Sequence, residues 1–205
     1  MKRLLFLPLV ALLFLCYGCI SISNSDLSVS FVNDYSGSMS ASALQAMETA
    51  VRTFIGYMKS TDRGEYIAFG ANIVAKTVGF VSPTTLENSI GGSGVDDSRT
   101  ALYDAIHFAL ERLQGESSDR VRAVIALTDG VDNSSGKTMQ NIIDKAKQLS
   151  IPVFTIGLGN SIERVKLQKI ADDTGGKYYE APNEDDLEEI YKSLIKEISG
   201  RAYLM

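Results

Sequence analysis

Leu27-Ser28-Val29-Ser30-Phe31-Val32-Asn33-Asp34-Tyr35-Ser36-Gly37-Ser38 is the stretch on which the reading of this chain turns. An extended apolar run, 27–32, leads to one carboxylate and two hydroxyls at alternate positions, and a long helical pattern follows. With a tight turn after the strand, Asp34, Ser36 and Ser38 form a compact oxygen cluster. Gly37 permits that turn, because without a side chain it can take φ > 0. Oxygen-only donors suit a hard cation such as Mg²⁺. The same residue types also cap ordinary helices, so these positions alone leave a cation site and a plain strand-to-helix turn both open. Two later stretches decide between them.

Outward from that turn, residues 40–59 repeat apolar side chains at i, i+3, i+4 and i+7 (Ala43, Leu44, Met47, Ala50, Val51, Phe54), which marks a helix with one buried face. Residues 65–69 and 73–81 read as two strands joined by Gly70-Ala71-Asn72, too short a connection for anything but an antiparallel hairpin. Residues 82–99 are a long Gly- and Ser-rich connection with a short helix at 86–90. A helix over 100–113 precedes the apolar run 121–127, the mark of a strand covered on both faces. That run ends in Thr128-Asp129-Gly130-Val131-Asp132-Asn133. Helices at 138–149, 162–174 and 184–198 alternate with short strands at 152–156 and 177–180.

Strands alternating with helices predict an α/β fold: a doubly wound, mostly parallel sheet with one antiparallel edge strand and helices on both faces. In such sheets ligands bind beyond the carboxyl ends of the strands. Asp34 and Asp129 both sit at such ends, and they converge if their strands are neighbours.

Composition bounds the rest. With 45% hydrophobic and 22% charged residues, the 205-residue chain can bury one core of ordinary size. The formal net charge is −5, and lysines and arginines are scattered among acids, so no nucleic-acid surface is expected. The N-terminus reads apart from the fold. Lys2-Arg3 followed by the apolar run 4–15 is a secretion signal in pattern, and the run is short for a membrane span, which needs about 20 residues. An uncleaved signal anchor is the alternative. Gly18-Cys19 resembles the lipobox of bacterial lipoproteins, which implies a signal peptide over 1–18, lipid on Cys19, a linker over 19–26 and one domain over 27–200. The mature domain then has no cysteine left for a disulfide, and the formal charge becomes −7.

Three separated elements carry a further resemblance: Asp34-x-Ser36-x-Ser38, Thr100 opening Thr100-Ala101-Leu102-Tyr103-Asp104, and Thr128-Asp129-Gly130. Together they resemble the metal-ion-dependent adhesion site (MIDAS) of the von Willebrand factor A (VWA) domain, a Rossmann-like fold. The likeness extends from about Leu27 to the last helix and includes Ile170-Ala171-Asp172-Asp173-Thr174-Gly175-Gly176-Lys177-Tyr178-Tyr179. It implies Mg²⁺ (or Mn²⁺ or Ca²⁺) held directly by Ser36 and Ser38, by Thr100 directly or through water, and by Asp34 and Asp129 mainly through waters. Neutral hydroxyls under-neutralise the ion, which then favours an acidic residue from a partner protein as its last ligand. This resemblance implies a non-enzymatic protein-binding module, and the lipobox resemblance implies its place on the bacterial cell envelope, at the periplasmic or extracellular face. Two departures stand out: Asn33 is polar inside a buried strand, and Arg99 lies beside Thr100 where many relatives carry Gly.

Two other readings compete. One is a metal-dependent hydrolase or phosphotransferase using the same Asp/Ser/Thr cluster; the other is a structural domain with a vestigial site. A phosphotransferase would want a second acid at position 36, where Ser stands, and a serine hydrolase needs a base, yet the only histidine, His107, sits off the apolar stripe of its helix with Glu111 at i+4. Gly91-Gly92-Ser93-Gly94 lacks the Lys-Ser/Thr ending of a phosphate loop. Asp132 and Asn133 read as turn-forming residues or as auxiliary metal ligands.

Overall fold

The computed structural model describes residues 25–201, so the expected signal peptide and Cys19 lie outside the described residues. Six strands form one sheet in the order β3-β2-β1-β4-β5-β6. They are β1 (Leu27–Asp34), β2 (Arg63–Phe69), β3 (Ile73–Ala75), β4 (Val121–Thr128), β5 (Val153–Leu158) and β6 (Tyr178–Ala181). All pairings are parallel except β2 with β3. The expected fold class is therefore the observed one.

Strand periodicity assigns the two faces. Val29 and Phe31 point into one layer with helices α1 (Ala41–Gly56) and α6 (Leu187–Arg201). There Phe31 meets Phe54 edge-on, with ring centroids 5.1 Å apart, and stacks on Tyr191. Val32 points the other way, into the layer with α3 (Leu102–Leu113), α4 (Met139–Leu149) and α5 (Arg164–Thr174). Each helix buries one apolar stripe, as the i, i+3, i+4 pattern requires.

Several boundaries moved, each for a local reason. The third strand is three residues long, because the chain leaves the sheet at Lys76, and only Val81 returns, bridging Gly64. The short helix α2 (Pro83–Glu87) starts earlier than expected because Ser82 caps it and Pro83 opens it. α3 begins at Leu102, which leaves Thr100 outside the helix. The last helix is preceded by a 3₁₀ turn, Glu184–Asp186. As expected, Gly175 closes α5 in the left-handed region, at φ 77°.

β1 lies between β2 and β4, in register so that Asn33 pairs with Leu127. Asp34 and Asp129 therefore leave adjacent parallel strands at the same end. α6 starts beyond the carboxyl end of β6 and returns along the sheet for 15 residues, roughly 22 Å. Its C-terminal end thus lies with the start of β1, opposite Asp34. Among the described residues no helix is long and apolar enough to cross a membrane.

Candidate metal centre

Asp34 is fully buried, and both carboxylate oxygens are occupied: Oδ1 accepts from the Ser36 N–H at 2.8 Å and Oδ2 from the Thr128 hydroxyl at 2.5 Å. Burial pushes its carboxyl up to about 6, against the lowering effect of those bonds and with a smaller push from Asp129. The Ser36 and Ser38 hydroxyls lie 3.2 Å apart, and Ser38 donates to Asp129 Oδ1 at 2.6 Å. Burial also raises the Asp129 carboxyl. Thr100 closes the cluster: a Cβ placed on Gly130 would lie 3.6 Å from Ser38 Oγ and 3.9 Å from Thr100 Oγ1.

The five expected residues are thus brought together from three loops, at the carboxyl ends of the strands. The groups acting most strongly on the two carboxylates include no lysine or arginine. Three hydroxyls and two under-compensated carboxylates suit a hard, water-retaining cation. Among the described residues no three His, Cys, Asp or Glu side chains form a cation cage, so such an ion must rely on the hydroxyls.

The model of the von Willebrand factor type A domain family matches residues 28–193. The chain belongs to that family. An uncharacterized protein of Borreliella burgdorferi is 28% identical over 170 residues, which cover 79% of this chain and 46% of the relative. The chain therefore spans about half the length of that curated relative. A solved von Willebrand factor type A structure from Catenulispora acidiphila superimposes with a TM-score of 0.77 at 20% identity, covering 86% of this chain and 43% of the other. Proximal thread matrix protein 1 from the mussel byssus, solved with a zinc-occupied MIDAS motif, gives a TM-score of 0.71 at 19% identity, over 86% of this chain and 46% of that one.

Neighbouring groups hold the five residues of the candidate site in place. Thr128 holds Asp34 and also accepts the Gly130 N–H at 3.1 Å. Its position one residue before Asp129 was the available signal. Asn133 and Asp132, left open as turn formers or ligands, serve the backbone. Asn133 Oδ1 accepts the Thr100 N–H at 2.9 Å, and Asp132 Oδ1 accepts the Tyr103 N–H at 3.2 Å and the Ser135 hydroxyl at 2.5 Å. Asp104 accepts the amides of Gly136 and Lys137 at 2.8 and 2.7 Å. The loop after β4 is thereby laced to the first turn of α3, and Thr100 is fixed between them.

Gly37 works differently from the expectation. It is not among the residues of positive φ. Its role is close approach, since its N–H donates to the Asp97 carbonyl at 2.8 Å and a Cβ there would lie 3.3 Å from that oxygen. Gly70 is tighter still, with a virtual Cβ 2.2 Å from the Asp96 carbonyl. Lys76 Nζ donates to the Ser93 hydroxyl at 2.6 Å and its carbonyl at 3.0 Å, tying the Gly-rich loop down rather than leaving it as an anion cradle.

Asn33 is fully buried, and neither side-chain polar atom has a hydrogen-bond partner among the described residues. Arg99 is exposed beside Thr100 and adds a small effect to that of Ser98 in holding the Asp96 carboxyl below its usual range. His107 Nδ1 lies 3.6 Å from Glu111, as its spacing implied.

Proposed function

We propose that this VWA domain is a non-enzymatic docking module for another protein, tethered to a bacterial envelope membrane through its N-terminus. The carrying observation is the convergence of Ser36, Ser38, Thr100, Asp34 and Asp129 at one sheet end, where the main influences on the two carboxylates include no lysine or arginine among the described residues. Ser36, Ser38 and Thr100 would hold Mg²⁺, Mn²⁺ or Ca²⁺ through their hydroxyls. Asp34 and Asp129 would orient those hydroxyls and bound waters. When bound, the ion supplies an electrophilic position for a carboxylate. Asp or Glu of the partner supplies that carboxylate. Lys2-Arg3, the apolar run 4–15 and Gly18-Cys19 support export and lipid attachment at Cys19, to a surface in the periplasm or outside the cell.

The enzymatic alternative fares worse on geometry. A phosphoryl acceptor must be reached by its substrate, whereas Asp34 is fully buried and each of its oxygens already accepts a hydrogen bond, from Ser36 or Thr128. His107 is turned to Glu111, so nothing places it as a base for Ser36 or Ser38.

The test is calorimetric titration of the full chain with Mg²⁺ and Mn²⁺, beside Asp34→Ala and Ser38→Ala. Saturable binding in the wild type that both substitutions abolish, and that acetate strengthens, is the expected result. Heats that are absent in the wild type with and without acetate would leave the vestigial reading. Metal-dependent turnover lost in Ser38→Ala would move the protein to the hydrolase class.

A further inference from the structure

A groove of about 300 Å³ opens directly from the metal centre. Ser38 and Asp129 of that centre line it together with Gly159, Asn160, Pro182 and Glu184. A second groove of about 360 Å³ continues from Glu184 along α1 to Asp185 and Glu188. Among the described residues no lysine or arginine lines either groove.

Local contacts explain why Glu184 keeps its charge. Its own backbone N–H and the Ser42 hydroxyl hold the Glu184 carboxyl below its usual range. The described residues contain no cation within ion-pair distance of Glu184 or Asp185, whereas Glu188 is 3.0 Å from Lys192. The groove therefore runs from a position that demands a carboxylate to one that repels it. A segment bearing only acids would fit the first end and be disfavoured at the second. The same groove has open space at Gly159, which is at φ 73° with nothing within 4 Å of a virtual Cβ, and Asn160 and Asn183 are exposed.

From this continuity and charge complementarity we infer that the domain captures an extended partner segment pairing one acidic residue with a Lys or Arg a few residues away. The acid meets the metal centre, and the basic side chain lies along Glu184 towards Glu188. The inference rests on the proposed metal reading and adds the partner's chemistry.

A phage-displayed library of random octapeptides, selected on the immobilised full chain in Mn²⁺ and eluted with EDTA, tests it. Enriched peptides are expected to combine Asp or Glu with Lys or Arg. Against Glu184→Gln, basic residues should lose roughly fivefold in enrichment at low salt while the acid stays, as an exposed ion pair allows. Glu184→Lys should replace the basic residue by a second acid. Enrichment of acids alone, or a basic preference unchanged in Glu184→Gln and Glu184→Lys, overturns the groove while sparing the metal site. No Mn²⁺-dependent enrichment of acids overturns both.

Discussion

Asp34 shows how burial tunes one carboxylate at this site. Because desolvation lifts its carboxyl to about 6, the metal-free protein protonates it well above the ordinary carboxylate range. Cation binding needs the ionised form, so affinity should be constant above pH 7 and fall by up to about tenfold per pH unit below 6. Calorimetry of Mn²⁺ binding from pH 5 to 8 checks this, with proton release near pH 6 as the signature. Thr128→Val should weaken Mn²⁺ binding by roughly ten- to a hundredfold, as loss of a group orienting a metal ligand commonly does. An unchanged circular dichroism spectrum would separate that loss from unfolding. Glu65 carries a different charge problem. It is buried, accepts from Ser30 at 2.5 Å and pairs with Arg112 of α3, and burial still raises its carboxyl above the usual value. A raised carboxyl stabilises the fold most below its unfolded value, and that contribution is lost as pH rises through the folded value. Arg112→Met, which strands the charge, should therefore cost about 3–5 kcal/mol at pH 7.5. The deficit should shrink towards pH 5 in urea unfolding, and adding Glu65→Gln should restore much of it.

At the scale of elements, the site depends on how one long connection is seated. Residues 88–99 cross above the ends of β1 and β2, and Asp96 and Asp97 receive the Ala71 and Gly37 amides at 2.7 and 2.8 Å. Ala101 in turn donates to the Gly70 carbonyl at 2.8 Å. Gly70→Ala pushes a methyl group into the Asp96 carbonyl, so the connection must shift and carry Thr100 with it. The expected outcome is a loss of about 1–3 kcal/mol in stability together with a larger loss of Mn²⁺ affinity than a stability-matched core variant shows. α4 is held by more local means, a capping box between Thr138 and Asn141. Thr138→Ala should lower stability by about 1 kcal/mol and leave metal binding untouched.

Across the whole molecule, the parallel sheet sorts its two ends. The proposed metal site and grooves occupy the carboxyl end of the strands, while Asp26, Thr61 and Arg120 bind one another at the other. The chain enters β1 at that second end, and α6 finishes there. Were Cys19 the tether, as proposed, the linker 20–26 would reach at most roughly 25 Å, and the proposed metal site would face away from the bilayer. A photocrosslinker at residue 60 in intact cells should label lipid, and one at residue 129 should label soluble or envelope protein. Lipid labelling from 129 without protein adducts would reverse the orientation.

How much of this was legible in the chain differs by kind of information. Periodicity carried the helices, and doubly apolar runs carried the central strands, because burial on one face or two is written directly into residue order. Asp34 and Asp129 were legible because both stand at strand ends, whereas Thr100 joined them only through the resemblance to the VWA pattern. The tertiary structure alone decided that β1 and β4 are neighbours in register, which is what brings Asp34 within 2.5 Å of the Thr128 hydroxyl. It also decided that Gly37 and Gly70 serve close approach, that Asn133 clamps Thr100, and that a groove links Ser38 to Glu184. The physical reason is one of range. Periodicity and capping act within a few residues and leave a local trace, whereas these contacts join positions tens of residues apart and exist only once the sheet has assembled.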